Sequence, residues 1–240
     1  KSKIIMLYNF GIIAYRCAIG VASLFNEKAA LWVKGRKGIW KRMEAVERGK
    51  GRLVWFHAAS LGEFEQGRPV IEKLKEIEPH TKILLTFFSP SGYEIRKNYQ
   101  GADIYYLPID TPSNARRFVE IWKPDAAVFV KYEYWYNYLN ELHKHQVPTY
   151  LISAIFRPGQ PFFKKWGNLH RRMLGFFTRL FVQDEESVKL LSTIGITHVQ
   201  QTGDTRFDRV KQIADAAKRI EKVEAFCNDR RAVVCGSTWP

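Results

Sequence analysis

The chain has 240 residues, 46% of them hydrophobic and 26% charged, an ordinary balance for a globular protein and enough apolar material to bury a core. The formal net charge of +14 is not ordinary, and it points to anionic partners: nucleic acid, acidic membrane surfaces or phosphorylated substrates. The three cysteines, Cys17, Cys227 and Cys235, lie far apart without metal-ligand spacing, which argues against a disulfide framework and against a metal site.

The first fifty residues hold eleven Lys or Arg against three Glu. Within them, residues 4–25 form a mostly apolar run interrupted by Asn9 and Arg16. A spanning helix needs about 20 apolar residues, and a central arginine opposes insertion by about 2.5–3.5 kcal/mol. Beyond the run, Lys34, Arg36, Lys37, Lys41 and Arg42 flank Trp32 and Trp40. Rings at the headgroup level and cations on acidic lipid are what an interfacial anchor requires. Two other readings stay open: an amphipathic helix packed on protein, and a cleaved signal sequence. If the segment is an anchor, the cations place the folded domain on the cytoplasmic side.

From Arg52 onward short β-rich runs recur, at 53–57, 83–88, 104–107, 126–130, 149–152, 180–183 and 198–202. Helix-start chemistry lies between them. Ser91-Gly-Tyr-Glu94 reads as a capping box, Thr111-Pro112 as a cap followed by proline at the first helical position, and Asp184 as a cap for a helix that stops at Gly195. Strands alternating with helices predict a doubly wound α/β domain with a parallel sheet. Ligands of such sheets bind beyond the carboxyl ends of the strands, so function is sought there.

After the first strand comes His57-Ala-Ala-Ser60-Leu-Gly62-Glu63, with small residues that let a ligand approach backbone. Glu63 has two readings: a general base for a hydroxyl, or a carboxylate that complements the helix dipole. Ser89-Pro-Ser91-Gly92 follows the second strand. Lys131-Tyr-Glu133-Tyr-Trp-Tyr follows the fourth, where aromatic rings beside an acid suit sugar faces; alternatively Glu133 pairs with Lys131 or a nearby arginine. Arg157, after the fifth strand, opens a stretch to Arg179 with six cations and no acid, fit for phosphate or a lipid surface, or else a helix with a solvated cationic face. A polar helix is expected over 207–227, then a strand at 232–235 leading into Gly236-Ser237-Thr238.

Ser60-Leu-Gly62-Glu63-Phe, Ser89-Pro-Ser91-Gly92, Glu133-Tyr-Trp135, Thr202-Gly-Asp-Thr-Arg206-Phe-Asp208 and Gly236-Ser237-Thr238 together resemble the 3-deoxy-D-manno-octulosonic acid (Kdo) transferases, in order and in spacing. The resemblance implies a GT-B glycosyltransferase of two Rossmann-like domains. It divides this chain into a membrane-associating segment (1–50), an acceptor-binding domain (51–206), and a linker helix with the first strand of a donor-binding domain (207–240), so the natural protein is expected to continue. It implies CMP-Kdo as donor and a lipid A precursor as acceptor, no metal or other cofactor, and the cytoplasmic face of a bacterial inner membrane. Glu63 becomes the candidate base. Ser60, Gly62, Ser89, Ser91, Gly92, Glu133, Arg157 and Arg206 fall on the acceptor side, and Gly236, Ser237 and Thr238 on the donor side.

Three positions depart from the family pattern: Ile155 stands where an arginine is common, with Arg157 two residues away; Arg206 replaces the usual lysine; Tyr136 replaces a proline. Competing readings are a GT-B enzyme for another nucleotide sugar and a basic membrane- or nucleic-acid-binding domain without catalysis. No helix-turn-helix, RRM or zinc-finger signature supports nucleic acid.

Overall fold

The computed structural model describes residues 2–217, 219–228, 230, 233, 235 and 236. The apolar runs become seven strands: β1 (Leu53–Ala58), β2 (Lys82–Phe87), β3 (Asp103–Tyr106), β4 (Ala126–Val130), β5 (Thr149–Ala154), β6 (Arg179–Val182) and β7 (Val199–Gln201). All neighbours pair in parallel, in the order β3-β2-β1-β4-β5-β6-β7. The chain runs outward from β1 to β3, returns to β4 beside β1, and then runs outward the other way. The topological switch therefore lies between β1 and β4, the position at which such sheets bind ligands.

The helices are α1 (Ser2–Ala22), α2 (Glu27–Arg36), α3 (Ile39–Glu44), α4 (Leu61–Ile77), α5 (Pro90–Arg96), α6 (Pro112–Trp122), α7 (Tyr136–Lys144), α8 (Asn168–Leu174), α9 (Glu185–Ser192), α10 (Arg206–Asp215) and α11 (Glu221–Cys227). Strand alternation feeds two cores. Leu53 and Trp55 of β1 join Phe118, Trp122, Leu139 and Leu180 on one face, whereas Val54 and Phe56 join Phe64, Ile71 and Leu85 on the other. Each large side chain buried in this way contributes about 1.5–3 kcal/mol. Both faces are covered, which is why the strands read as unbroken apolar runs.

Thr111 and Asp184 cap α6 and α9 as their sequences predict, each accepting a first-turn amide. Gly195 takes the left-handed conformation (φ +77°) just beyond α9. Two expectations are corrected. The cap of α5 is Ser89, not Ser91, because Pro90 occupies the first helical position; Glu94 accepts from Tyr106 Oη and pairs with Lys97 instead of reaching back. The helix expected over 207–227 is two helices, α10 and α11, with a break after Asp215. No large apolar side chain lies between Ile213 and Ile220 to pin the middle of a continuous helix. The strand expected at 232–235 lies largely outside the described residues.

The N-terminal helix packs along the domain. Tyr8 Oη donates to Asp110 Oδ2 at 2.6 Å, Asn137 Nδ2 donates to Asn9 Oδ1 at 2.9 Å, and Tyr15 stacks on Phe88. Next to it, Arg36 of α2 enters the sheet edge and donates to the carbonyls of Leu107 and Phe88, its guanidinium lying 3.8 Å over Trp32. The opposite face of α1 is bare: Met6, Leu7, Phe10, Ile13 and Val21 are all more than half exposed. Residues Lys3–Ala22 are long and apolar enough to cross a bilayer by length and composition. The Tyr8 and Asn9 bonds keep one side of the helix on protein, and its apolar outer side stays bare.

Candidate functional site

The switch point is lined by two carboxylates. Leaving β1, the chain turns through Ala58-Ala59-Ser60 into α4, with Ser60 as its N-cap and Glu63 in its first turn. Glu63 Oε2 accepts the amides of Ala59 (2.5 Å) and Ser60 (3.1 Å). The capping contact offered by the sequence is therefore real. It occupies one oxygen, and Oε1 makes no hydrogen bond among the described residues. Burial raises the Glu63 carboxyl to about 7; the charge of Glu133 adds to the rise, while the amides and His57 oppose it. A carboxyl that titrates near neutrality is matched to taking a proton from a hydroxyl.

Glu133 comes from the loop after β4, where Lys131 adopts φ +67°, a left-handed turn unusual for a side-chain-bearing residue. The Glu133 side chain is buried. Its Oε2 accepts from Trp135 Nε1 at 2.6 Å and meets His57 Nε2 at 2.9 Å. The sequence offered Lys131 or an arginine as its partner; the structure supplies a histidine and an indole. His57, fully buried at the end of β1, has its other nitrogen 2.8 Å from Thr86 Oγ1 and 3.1 Å from Thr86 O on β2. Three adjacent strands, β2, β1 and β4, thus fix one carboxylate at the crevice.

Neighbouring loops are tied to this centre. The Ser89 amide donates to Ala59 O at 2.7 Å, and the Ser89 hydroxyl accepts the Ser91 amide and meets Ser91 Oγ at 3.0 Å. On the other side Asp204 accepts from Gln66 Nε2 of α4, Thr205 Oγ1 donates to Gln66 O, and Ser153 Oγ meets Thr205 Oγ1 at 2.8 Å. Arg206 is bound to Asp204 through Nε and Nη2, which brings it to the flank of α4. Gly62 is exposed, and a Cβ there would meet no atom within 4 Å.

The remaining predicted residues are placed differently. Gly92 is buried against the Phe87 ring, so its smallness serves the packing of α5 on β2. Arg157 is exposed and pairs with Glu186 (3.3 Å) and Asp184 (3.6 Å) at the start of α9. In the acid-free stretch it opens, Arg171 donates to the carbonyls of Phe162 and Lys164, and Arg172 lies over the rings of Tyr136 and Phe176. Those two cations thus have partners within the chain. Gly236 is exposed and outside any helix or strand, and Ser237 and Thr238 lie outside the described residues.

His57 escaped the sequence reading because a lone histidine ending an apolar strand looks like core. Its one signal was position, directly before the small-residue turn that leads to Glu63. A cavity of about 300 Å³ lies beside the centre, lined by Tyr8 and Ile12 of α1 and by Tyr132, Tyr134 and Trp135 of the Glu133 loop. It lies between α1 and the loop that carries Glu133, with His170 and Met173 completing its wall.

The family model described as 3-deoxy-D-manno-octulosonic-acid transferase (kdotransferase) matches residues 33–209. Among curated proteins, the 3-deoxy-D-manno-octulosonic acid transferase of Rickettsia typhi is 30% identical over 193 residues, covering 78% of this chain and 41% of that protein. That of Aquifex aeolicus is 32% identical over 169 residues, covering 68% and 43%. The chain thus spans about two fifths of the length of these relatives. Among solved structures, the UDP-N-acetylglucosamine 2-epimerase of Rickettsia bellii superposes with a TM-score of 0.55 at 13% identity, over 74% of this chain and 51% of that one. The UDP-GlcNAc 2-epimerase of Neisseria meningitidis, bound to UDP-GlcNAc, gives 0.52 at 18% identity, over 75% and 54%. At such identities the likeness is one of fold alone.

Proposed function

This chain belongs to the 3-deoxy-D-manno-octulosonic-acid transferase family, and on that premise we propose that it forms the acceptor-side half of a membrane-bound GT-B glycosyltransferase that moves Kdo from CMP-Kdo to a lipid A precursor in lipopolysaccharide core assembly. The observation that carries the reading is the Glu63 carboxyl at the topological switch, one oxygen held by backbone amides and the group poised near pH 7.

In the proposed reaction Glu63 takes the proton of an acceptor hydroxyl as its oxygen bonds to the anomeric carbon of Kdo. The bond from Kdo to CMP breaks and its electron pair leaves with CMP. Glu63 then carries the proton and returns it to solvent. Glu133, with the Trp135 ring beside it, bounds the same crevice and presents an acid and an aromatic face to the acceptor sugar. Ser60, Ser89, Ser91 and Arg206 supply hydroxyls and charge around it, and Gly62 leaves room. Residues 236–238 are assigned to the donor side, and the division into segments 1–50, 51–206 and 207–240 follows the same logic.

The exposed apolar face of α1, together with the basic residues of α2 and α3, sets the protein on an acidic membrane, at the cytoplasmic face of the inner membrane, where a lipid acceptor is presented. A lipid acceptor would approach the crevice past the cavity between α1 and the Glu133 loop, which borders Trp135. The test is a transfer assay with the full-length protein, a lipid A precursor and a panel of nucleotide sugars. Transfer from CMP-Kdo in preference to the others is the expected result; preference for another nucleotide sugar overturns the donor assignment.

A further inference from the structure

Glu133 could approach Glu63 in many rotamers, yet one arrangement is imposed on it. The side chain emerges from a left-handed turn at Lys131, is buried, and directs Oε2 at two nitrogens. His57 Nε2 faces a carboxylate oxygen, so that nitrogen carries the ring proton and donates it. The Trp135 indole N–H, 2.6 Å from the same oxygen and 3.1 Å from Nε2, then donates to the carboxylate. Behind the ring, the Thr86 hydroxyl donates to Nδ1 at 2.8 Å, and Trp55 Nε1 donates to the same hydroxyl at 2.8 Å. Trp55, His57 and Thr86 are all inaccessible to solvent. The histidine can neither tilt nor leave without opening the core between β1, β2 and β4.

We infer that His57 is a positioning residue: through Nε2 it pins the Glu133 carboxylate at the crevice, so that Glu63 works against a fixed neighbouring charge and the two acids act as one unit. This rests on the reading of Glu63 as the base. The ionisable groups that act on Glu63 are Glu133, from the β4 loop, and His57, from β1. Those that face Glu133 are His57, Glu63, Tyr8 of α1 and Tyr134 of its own loop. Asp204 and Arg206, at the flank of α4, are bound to each other, and Asp204 also accepts from Gln66. Lys131 turns over the Tyr132 ring.

Two nearby carboxylates cannot ionise independently, so the charge on one makes the other hold its proton more strongly. Burial of Glu63 acts in the same direction, and both raise its carboxyl toward neutrality. If Glu133 swings away or is neutralised, the second contribution is lost. Glu63 then titrates lower and becomes a weaker base, while the crevice that binds the substrates is otherwise unchanged. A histidine that served only to stitch β1 to the β4 loop would affect stability alone.

The experiment is the pH dependence of Kdo transfer by the full-length protein, from about pH 5 to 9. The wild-type acidic limb of kcat/KM falls at about 7. Glu133→Gln moves that limb down by about one pH unit and lowers kcat about tenfold. His57→Leu moves it the same way by less, because it also removes the opposing pull of His57 on Glu63, and it leaves KM within about twofold because His57 touches no substrate. His57→Gln, which keeps an N–H directed at Glu133, restores the limb toward 7. The double variant His57→Leu/Glu133→Gln shows no further fall beyond Glu133→Gln, because the charge that His57 held in place is already gone. An unmoved limb in His57→Leu, with only a lower melting temperature, overturns the inference. If that variant does not fold, an unmoved limb in Glu133→Gln overturns it equally. Glu63→Gln serves as the control: if it turns over like wild type, the base reading is what has failed, whereas an inactive Glu63→Gln beside unmoved limbs removes the role of His57 alone.

Discussion

The crevice and the N-terminal helix depart from the usual distribution of polar and apolar groups in opposite directions. At the crevice, acids that would be solvated elsewhere are drawn inward: Glu133 is buried, Glu63 is pushed to about 7, and Asp110, fully buried behind α7, is pushed to about 6. Along α1, side chains that would be buried elsewhere are left bare, among them Leu7 and Phe10 at 70% and 68% exposure. Each departure is unfavourable in water. The buried acids are offset within the molecule, by backbone amides, a histidine and an indole. The bare apolar face has no partner among the described residues. The contrast separates buried acids that the fold compensates from a surface that, on the proposed reading, a membrane would cover.

Asp110 links the two regions, and its removal has the largest predicted effect. It accepts from Tyr8 Oη of α1 and from the amides of Asn137 and Tyr138 at the start of α7. Asp110→Ala leaves those donors unpaired in the core and is expected to cost about 3 kcal/mol, measured by urea unfolding. A loss under about 1 kcal/mol would mean that water replaces the carboxylate and that the link is dispensable.

The membrane half of the comparison is tested next. Replacing Leu7, Phe10 and Val21 together with Asn removes three exposed apolar side chains and touches none of the contacts made by Tyr8, Asn9 or Tyr15. Partition of the full-length protein onto vesicles of anionic lipid is expected to fall by about one to two orders of magnitude, with the melting temperature unchanged. Undiminished flotation would place the lipid contact elsewhere. Tyr8→Phe is milder: it removes one tether, and about 1 kcal/mol or a melting shift of about 2–4 °C is expected.

The smallest effect is a slope. The Glu63 carboxyl is raised above its ordinary value of 4.5 to about 7, so the folded state holds its proton more strongly than the unfolded state. Its ionisation therefore subtracts stability as the pH rises from the ordinary value to the raised one, and the full penalty is present above it. Glu63→Gln lacks the penalty. The stability of the variant relative to wild type is expected to improve between pH 5 and pH 8, by thermal unfolding at each pH. A difference that stays constant over that range would mean that Glu63 is not raised.

The sheet was legible because a strand covered on both faces writes itself as a continuous apolar run; all seven strands lie within two residues of their predicted ends. Caps were legible where one local rule applied, as at Thr111 and Asp184. They were misread at Ser89, where two overlapping serine signals competed and Pro90 decided between them. Long-range chemistry was not legible. His57 and Glu133 are 76 residues apart, and Tyr8 and Asp110 are 102 apart, so neither pair leaves a local pattern. The alternatives for Glu63, cap or base, could not be separated in the sequence because one residue can do both, with a different oxygen for each.

That double role makes turnover and stability of one variant, measured together, the most direct test of the account. Glu63→Gln keeps the size of the side chain and a carbonyl oxygen for the Ala59 and Ser60 amides, and it loses only the ability to take a proton. In the full-length protein, Kdo transfer from CMP-Kdo is predicted to fall by about 10²–10⁴-fold, with CMP affinity unchanged and the melting temperature at pH 8 no lower than wild type. Turnover within a few-fold of wild type, or a loss of activity matched by a fall in melting temperature, would contradict the account and leave Glu63 a helix cap.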